Sequence, residues 1–121
     1  MPSQGTNVVG HWKIVDYPQH PECIGCQFSI SHDYEKPNSY RLNVHIVNSL
    51  FCPLEYNPTS NEWTLAGGVG TTLMLGPLEE MKKENVISDL ISSIQNLEVE
   101  GGQHLVIKTN DGEQVRLERS Q

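Results

Sequence analysis

The strongest hydrophobic pattern in the chain lies in its C-terminal half and predicts an amphipathic helix. Ile87, Leu90, Ile91 and Ile94 recur at the i, i+3, i+4, i+7 spacing of one helical face. Pro77 suits the first turn of a helix, where its missing N–H would have no partner in any case. A helix with one apolar face must bury that face against another element.

Short runs of alternating apolar and polar residues predict strands on both sides of this helix. They centre on Trp12 and Ile14, Phe28 and Ile30, Leu42 and Val44, Phe51 to Tyr56, Trp63 and Leu65, Thr71, Leu97 and Val99, Leu105 and Ile107, and Val115 and Leu117. The last two runs flank Asn110-Asp111-Gly112, which is typical of a hairpin turn. We therefore expect one domain over residues 1–121 with an α+β fold. It should be a curled antiparallel sheet or partial β-barrel of about seven or eight strands, with one C-terminal-half helix packed on it or plugging it.

Several short motifs resemble the META domain, the family shared by the META proteins of kinetoplastid parasites and the bacterial HslJ heat-inducible proteins. The matching residues are Thr71, Thr72 and Met74, Glu84 in the helix, Leu105 and Ile107, the Asp111-Gly112 hairpin, and Gly10 and Trp12 in the opening strand. The resemblance spans nearly the whole chain and implies a single META/HslJ-like domain. The acidic form without a signal is more like the parasite branch. The cysteine that bacterial members carry after Met-Ala is absent, because Met74 is followed by Leu75-Gly76.

The resemblance implies a role rather than a reaction. Family members are associated with infective-stage virulence in parasites and with stress or antibiotic tolerance in bacteria, and the family has no established catalytic constellation. We therefore expect a non-enzymatic binding or chaperone-like module linked to virulence or secretory processes, with no cofactor. Its partner would be a protein or a lipid or acyl group, bound through an apolar pocket or a sheet edge. The chain would be a monomer or a homodimer.

Six bulky side chains are candidates for lining such a pocket if one end of the barrel stays open. They are Trp12, Phe28, Phe51, Trp63, Met74 and Met81. The simpler interpretation is that all six fill an ordinary core, and we favour it for the set as a whole.

Cys23 and Cys26 form a Cys-x-x-Cys motif, the second candidate site. Thiolates at this spacing can bind zinc together with a histidine, or can exchange a disulfide. However, such a zinc site normally needs a second ligand pair, and a redox motif usually opens a helix, whereas this one enters a predicted strand. A structural role is the simplest interpretation. A small thiol-redox or zinc-binding protein centred on Cys23 and Cys26 is the alternative function.

The charged residues at the start of the predicted helix are the third candidate. Paired carboxylates can act as acid and base when burial shifts the pKa of one of them. Glu79, Glu80 and Glu84 fall mostly off the apolar stripe and lie beside Lys82 and Lys83. We therefore expect a solvated face rather than a catalytic one.

Composition and charge narrow the class of partner and the location. The net charge is −7, and the eight Lys and Arg residues form no basic cluster, which excludes binding along a nucleic-acid backbone. No apolar run is long enough to span a membrane, and Met1 to Gly5 contains no signal for export. Three cysteines in such a chain fit a reducing compartment, so we expect a cytoplasmic protein. A parasite META protein would lie near secretory or flagellar-pocket structures, and unconventional export would leave no signal.

Overall fold

The computed structural model describes residues 8–33, 36–60, 62–72 and 74–120. Within these ranges the strands are β1 (Gly10–Asp16), β2 (Gln27–His32), β3 (Ser39–His45), β4 (Ser49–Asn57), β5 (Glu62–Leu65), β6 (Gly70–Thr71), β7 (Ile94–Glu100), β8 (His104–Thr109) and β9 (Gln114–Ser120). The helix α1 spans Leu78–Ser92, and a short 3₁₀ turn spans Pro21–Cys23. Met1 to Gly5, on which the expectation of a missing export signal rests, lies outside the described residues.

The strands form one antiparallel sheet that curls until its two ends meet. The order is β5-β4-β3-β2-β1-β9-β8-β7, and β6 pairs with the part of β4 that β5 leaves uncovered. β5 and β7, the two ends of this order, lie side by side, although no ladder joins their described residues. The sheet is therefore an eight-stranded barrel that is nearly closed, and the predicted fold class is confirmed.

Side chains fill the interior of the barrel, because every second residue of each long strand points inward. The largest fully buried ones are Trp12, Ile14, Phe28, Ile30, Leu42, Leu54, Ile87, Ile91, Leu97, Leu105, Ile107 and Leu117. Helix α1 adds Ile87, Leu90 and Ile91 to this same core, so it packs on the barrel through the apolar stripe that the sequence predicts. In the part of the chain that the structure describes, the interior is a packed core.

The predicted apolar stripe of the helix includes Ile94, which lies beyond the C-terminal end of α1. α1 ends at Ser92, and Ile94 begins β7 instead of continuing the helix. The Ser93 carbonyl accepts a hydrogen bond from the Asn110 N–H at 3.0 Å, so the chain leaves the helix to meet the β8–β9 turn. Ile94 remains 7% exposed, which explains why its apolar character fitted the helical pattern.

Candidate functional site

A surface groove lies where the first turns of α1 meet the β3–β4 loop and the segment that links β6 to α1. Its volume is about 400 Å³, and its lining is more apolar than polar. It is lined by Asn48, Thr71, Thr72, Met74, Leu75, Met81 and Glu84. Three separate parts of the chain thus form one surface.

Glu84, on the second turn of α1, lies in the floor of this groove and is 6% exposed. Its Oε1 accepts hydrogen bonds from the N–H groups of Val47 at 3.2 Å and Asn48 at 2.6 Å. Its Oε2 accepts a third bond, from Asn48 Nδ2 at 2.9 Å. The expectation that Glu84 faces solvent was wrong. Glu84 lies at i−3 from Ile87 and i−7 from Ile91, so helical spacing alone placed it on the buried face.

Asn48 connects Glu84 to the segment after β6. Its Oδ1 accepts hydrogen bonds from Thr72 Oγ1 at 3.0 Å and from the Met74 N–H at 2.6 Å. Its Nδ2 also donates to the Met74 carbonyl at 3.1 Å. A 3%-exposed amide that uses both its donor and its acceptor in this way fixes the backbone around Met74. Sequence reasoning missed Asn48, which lies in a loop without a recognisable motif.

The segment fixed by Asn48 carries large apolar side chains into solvent. Met74 is 61% exposed, Leu75 is 96% exposed, and Leu78 at the start of α1 is 71% exposed. Together with the half-buried Met81 they form what we call the apolar patch. Gly76 packs tightly beneath it, since a Cβ there would lie 2.7 Å from Val47 Cγ2. Clustered apolar exposure of this kind marks a binding surface more often than a chance arrangement.

The six predicted pocket residues divide into three groups. Trp12, Phe28 and Trp63 are at most 2% exposed and belong to the core. Phe51 is 43% exposed on the outer face of β4. Met74 and Met81 line the groove together.

Cys23 and Cys26 lie on either side of a tight turn before β2. The Cys26 N–H donates to the Cys23 carbonyl at 3.1 Å, and Gly25 between them has a φ of 98°. Burial, reinforced by Cys26, raises the pKa of Cys23 to about 12, and burial raises the pKa of Cys26 as well. Both groups are therefore thiols at neutral pH and weak nucleophiles.

A second pocket, of about 220 Å³, lies between α1 and the β8–β9 turn. Its lining includes Tyr17, Asp89, Asp111 and Glu113. Desolvation and the neighbouring Asp111 raise the pKa of Glu113, whereas the hydrogen bond from Thr109 lowers the pKa of Asp111. Burial and the nearby Glu113 raise the pKa of Tyr17 to about 12. The acidic lining disfavours anionic ligands here.

Metal binding and membrane insertion are the last two properties on which the described residues bear. No three His, Cys, Asp or Glu side chains in these ranges lie close enough together to hold a metal ion. No helix in the same part of the chain has the length and apolar character needed to cross a membrane.

Comparison with known proteins bears on the fold alone. No family model matches the chain, and no curated protein is significantly similar to it. Among solved structures, the chain is similar to one described as the NMR structure of the protein from Burkholderia xenovorans. The TM-score is 0.60 and the sequence identity is 14%, over 99% of this chain and 90% of that one.

Proposed function

We propose that this chain is a non-enzymatic binding or chaperone-like module that takes up an apolar segment of a partner protein on the apolar patch. The observation that carries the proposal is the exposure of Met74, Leu75 and Leu78 beside a groove of about 400 Å³. A partner side chain would enter the groove next to Met81, and burial of the patch would provide most of the binding free energy.

The filled barrel favours a protein segment over a lipid or acyl group as the partner. An acyl chain needs a cavity that surrounds most of its length. Large core side chains such as Trp12, Phe28 and Leu42 occupy the interior where that cavity would lie. The groove at the apolar patch is open along its length, which suits a side chain presented from a protein surface.

The hydrogen bonds of Asn48 and Glu84 support a preformed site. They hold the backbone at Met74 in one conformation, so the patch loses little conformational entropy when it binds. The net charge of −7 would favour a partner whose apolar segment is flanked by basic residues, chiefly through faster association.

Membership of the META/HslJ family is part of the same proposal. Three residues that carry the resemblance, Thr72, Met74 and Glu84, all bond to Asn48, although two of them are in a loop and the third is on the helix. Bonding to the same Asn48 side chain gives these three residues a common structural role, and this supports the resemblance. A role in virulence or secretory processes would then follow from the partner that the patch recognises.

A thiol-redox or zinc function at Cys23 and Cys26 is the second candidate. The position of both cysteines on one tight turn supports it, whereas their raised pKa values argue against fast exchange. Replacing both residues by serine should leave partner binding intact if the apolar patch is the working surface. Loss of binding in a folded double variant would favour the alternative.

Selection of peptides from a random phage-displayed library against the full chain tests the proposal directly. We expect selected peptides to carry spaced apolar residues and to shift the NMR signals of Met74, Leu75, Leu78 and Met81. Leu75→Glu combined with Leu78→Glu should abolish binding, because it places charge within the contact.

Ile24→Glu is the matched control, since Ile24 is also a half-exposed apolar residue, 51% exposed, but lies on the cysteine turn. It should bind the peptides like the unaltered chain. Recovery of no peptide, or peptides whose binding tolerates both leucine changes, would contradict the proposal. If the unaltered chain formed concentration-dependent dimers and the double variant did not, the apolar patch would join two copies of the chain instead. If fatty acid bound at the patch, the patch would be a lipid site.

A further inference from the structure

A row of outward-facing side chains crosses four neighbouring strands of the barrel. In the pairing register His11 of β1 is opposite Ser29 of β2, Ser29 is opposite Asn43 of β3, and Asn43 is opposite Phe51 of β4. These four residues, the outer row, alternate with buried ones and so share the solvent face. With strands about 4.8 Å apart, the row is about 14 Å long.

Three members of the outer row, His11, Ser29 and Asn43, line a shallow depression of about 350 Å³, and Phe51 ends the row on the neighbouring strand. Its polar lining consists of His11, Gln27, Ser29, Asn43, His45 and Ser49. Among the described residues that line it there is no Asp, Glu, Lys or Arg, although the chain has 15 acidic and eight basic residues. The described lining residues therefore offer a phosphate, a carboxylate or an amine no Asp, Glu, Lys or Arg side chain as a partner.

The polar groups of this depression are largely free to bind a ligand. Among the bonds between described residues, the side chains of His11, Gln27, Ser29 and Asn43 take part in none, and His45 Nδ1 reaches only Ser49 Oγ, at 3.2 Å. Hydroxyl, amide and neutral imidazole groups each donate and accept hydrogen bonds. A ligand that matches them must carry many neutral groups that also do both, which is the chemistry of sugar hydroxyls.

Phe51 adds a flat apolar surface at one end of the row. Its ring lies against the backbone of Gly70, where any Cβ would overlap the ring atoms. The ring is nevertheless 43% exposed. An aromatic ring held in this way can cover the C–H face of a sugar ring while neighbouring side chains bond its hydroxyls.

We propose that the outer row is a binding site for a neutral carbohydrate chain a few sugar units long. A peptide strand is disfavoured, because β1 to β4 are each paired on both sides where the row crosses them and offer no free backbone edge. The site is separate from the apolar patch and does not depend on the function proposed for that patch.

NMR titration of the full chain with cellohexaose, maltohexaose, mannohexaose and N-acetylchitohexaose tests this proposal. We expect at least one of them to shift the signals of His11, Ser29, Asn43 and Phe51 in a saturable way. Phe51→Ala should weaken that binding about tenfold by removing the ring contact, and Phe51→Trp should retain it. Asn43→Ala should weaken it about fivefold through lost hydrogen bonds.

Leu75→Ala is the control, because it trims an exposed apolar residue outside the row and should leave sugar affinity unchanged. The proposal is overturned if none of the four sugars binds, or if the shifts lie elsewhere on the barrel. It is equally overturned if folded Phe51→Ala and Asn43→Ala proteins bind as tightly as the unaltered chain. Tighter binding of polygalacturonate than of any neutral sugar would refute the neutral ligand class.

Discussion

Two polar side chains, Glu84 and Cys23, are buried near helix α1, and their surroundings give them opposite roles. Glu84 accepts three hydrogen bonds, and through Asn48 it organises the surface around Met74. Cys23 is fully buried in the apolar core, and this burial is the main reason that the pKa of its thiol rises to about 12. The number of hydrogen-bond donors that neighbours supply, rather than burial itself, therefore decides whether a buried polar group organises a site or stays inert.

The largest effect that this comparison predicts is on stability. Glu84→Ala should lower the free energy of unfolding by about 3 kcal/mol, because it leaves the N–H groups of Val47 and Asn48 and the Asn48 amide buried without their acceptor. Urea denaturation measures this difference. Glu80→Ala is the control one turn earlier, where the carboxylate forms only a partly exposed ion pair with Lys83, and it should cost less than about 1 kcal/mol.

If Glu84→Ala and Glu80→Ala lowered the free energy of unfolding by similar amounts, Glu84 would contribute no more than a surface charge does. The contrast between Glu84 and Cys23 would then be wrong. Glu84→Gln should lose an intermediate amount of stability, because its amide oxygen can still accept the Val47 and Asn48 N–H bonds but its NH2 group faces the Asn48 Nδ2 donor.

The next effect concerns alkaline pH. The ordinary pKa of a cysteine thiol is 9.0, and in the folded chain the pKa of Cys23 is about 12. Below pH 9 both folded and unfolded forms hold the proton and stability is unaffected. Between pH 9 and pH 12 only the unfolded form loses the thiol proton. Titration of Cys23 should therefore lower the free energy of unfolding by up to about 1.4 kcal/mol per pH unit in this range.

Denaturation curves collected from pH 8 to pH 10 for the native chain and for Cys23→Ala measure this slope. The stability of the variant should decline less steeply above pH 9, because it lacks the Cys23 thiol, whereas Cys26, Cys52 and Tyr17, whose pKa values burial also raises, contribute to both curves. Parallel curves would mean that the thiol titrates normally in the folded chain, which would restore the case for a reactive cysteine pair.

The smallest effect on stability is expected at the apolar patch itself. Leu75→Ser should change the free energy of unfolding by less than about 0.5 kcal/mol, since a side chain that is 96% exposed contributes little packing. Thermal and urea denaturation check this. A large loss would show that Leu75 belongs to the folded core, and the patch would no longer be available to a partner.

The fold was predictable from sequence because it rests on local periodicity. Alternation around Trp12, Leu42 and Leu105 identified strands, and the spacing of Ile87, Leu90 and Ile91 identified the helix. Ile94 was misassigned because an apolar residue at helical spacing fits equally well at the start of the next strand. Of the candidate site, Thr72 was singled out through a family resemblance, Met74 also as a bulky side chain and Glu84 also as a helix carboxylate, whereas no sequence pattern pointed to Asn48.

The sequence by itself determined which residues alternate, where the chain turns, and that the surface is acidic, since these depend on neighbours along the chain. Tertiary structure alone decided that Glu84 is buried against Asn48, that Leu75 and Leu78 remain exposed, and that His11, Ser29, Asn43 and Phe51 form one row. Each of these depends on contacts between strands or between strand and helix. Such contacts follow from the register and closure of the barrel, which no local pattern specifies.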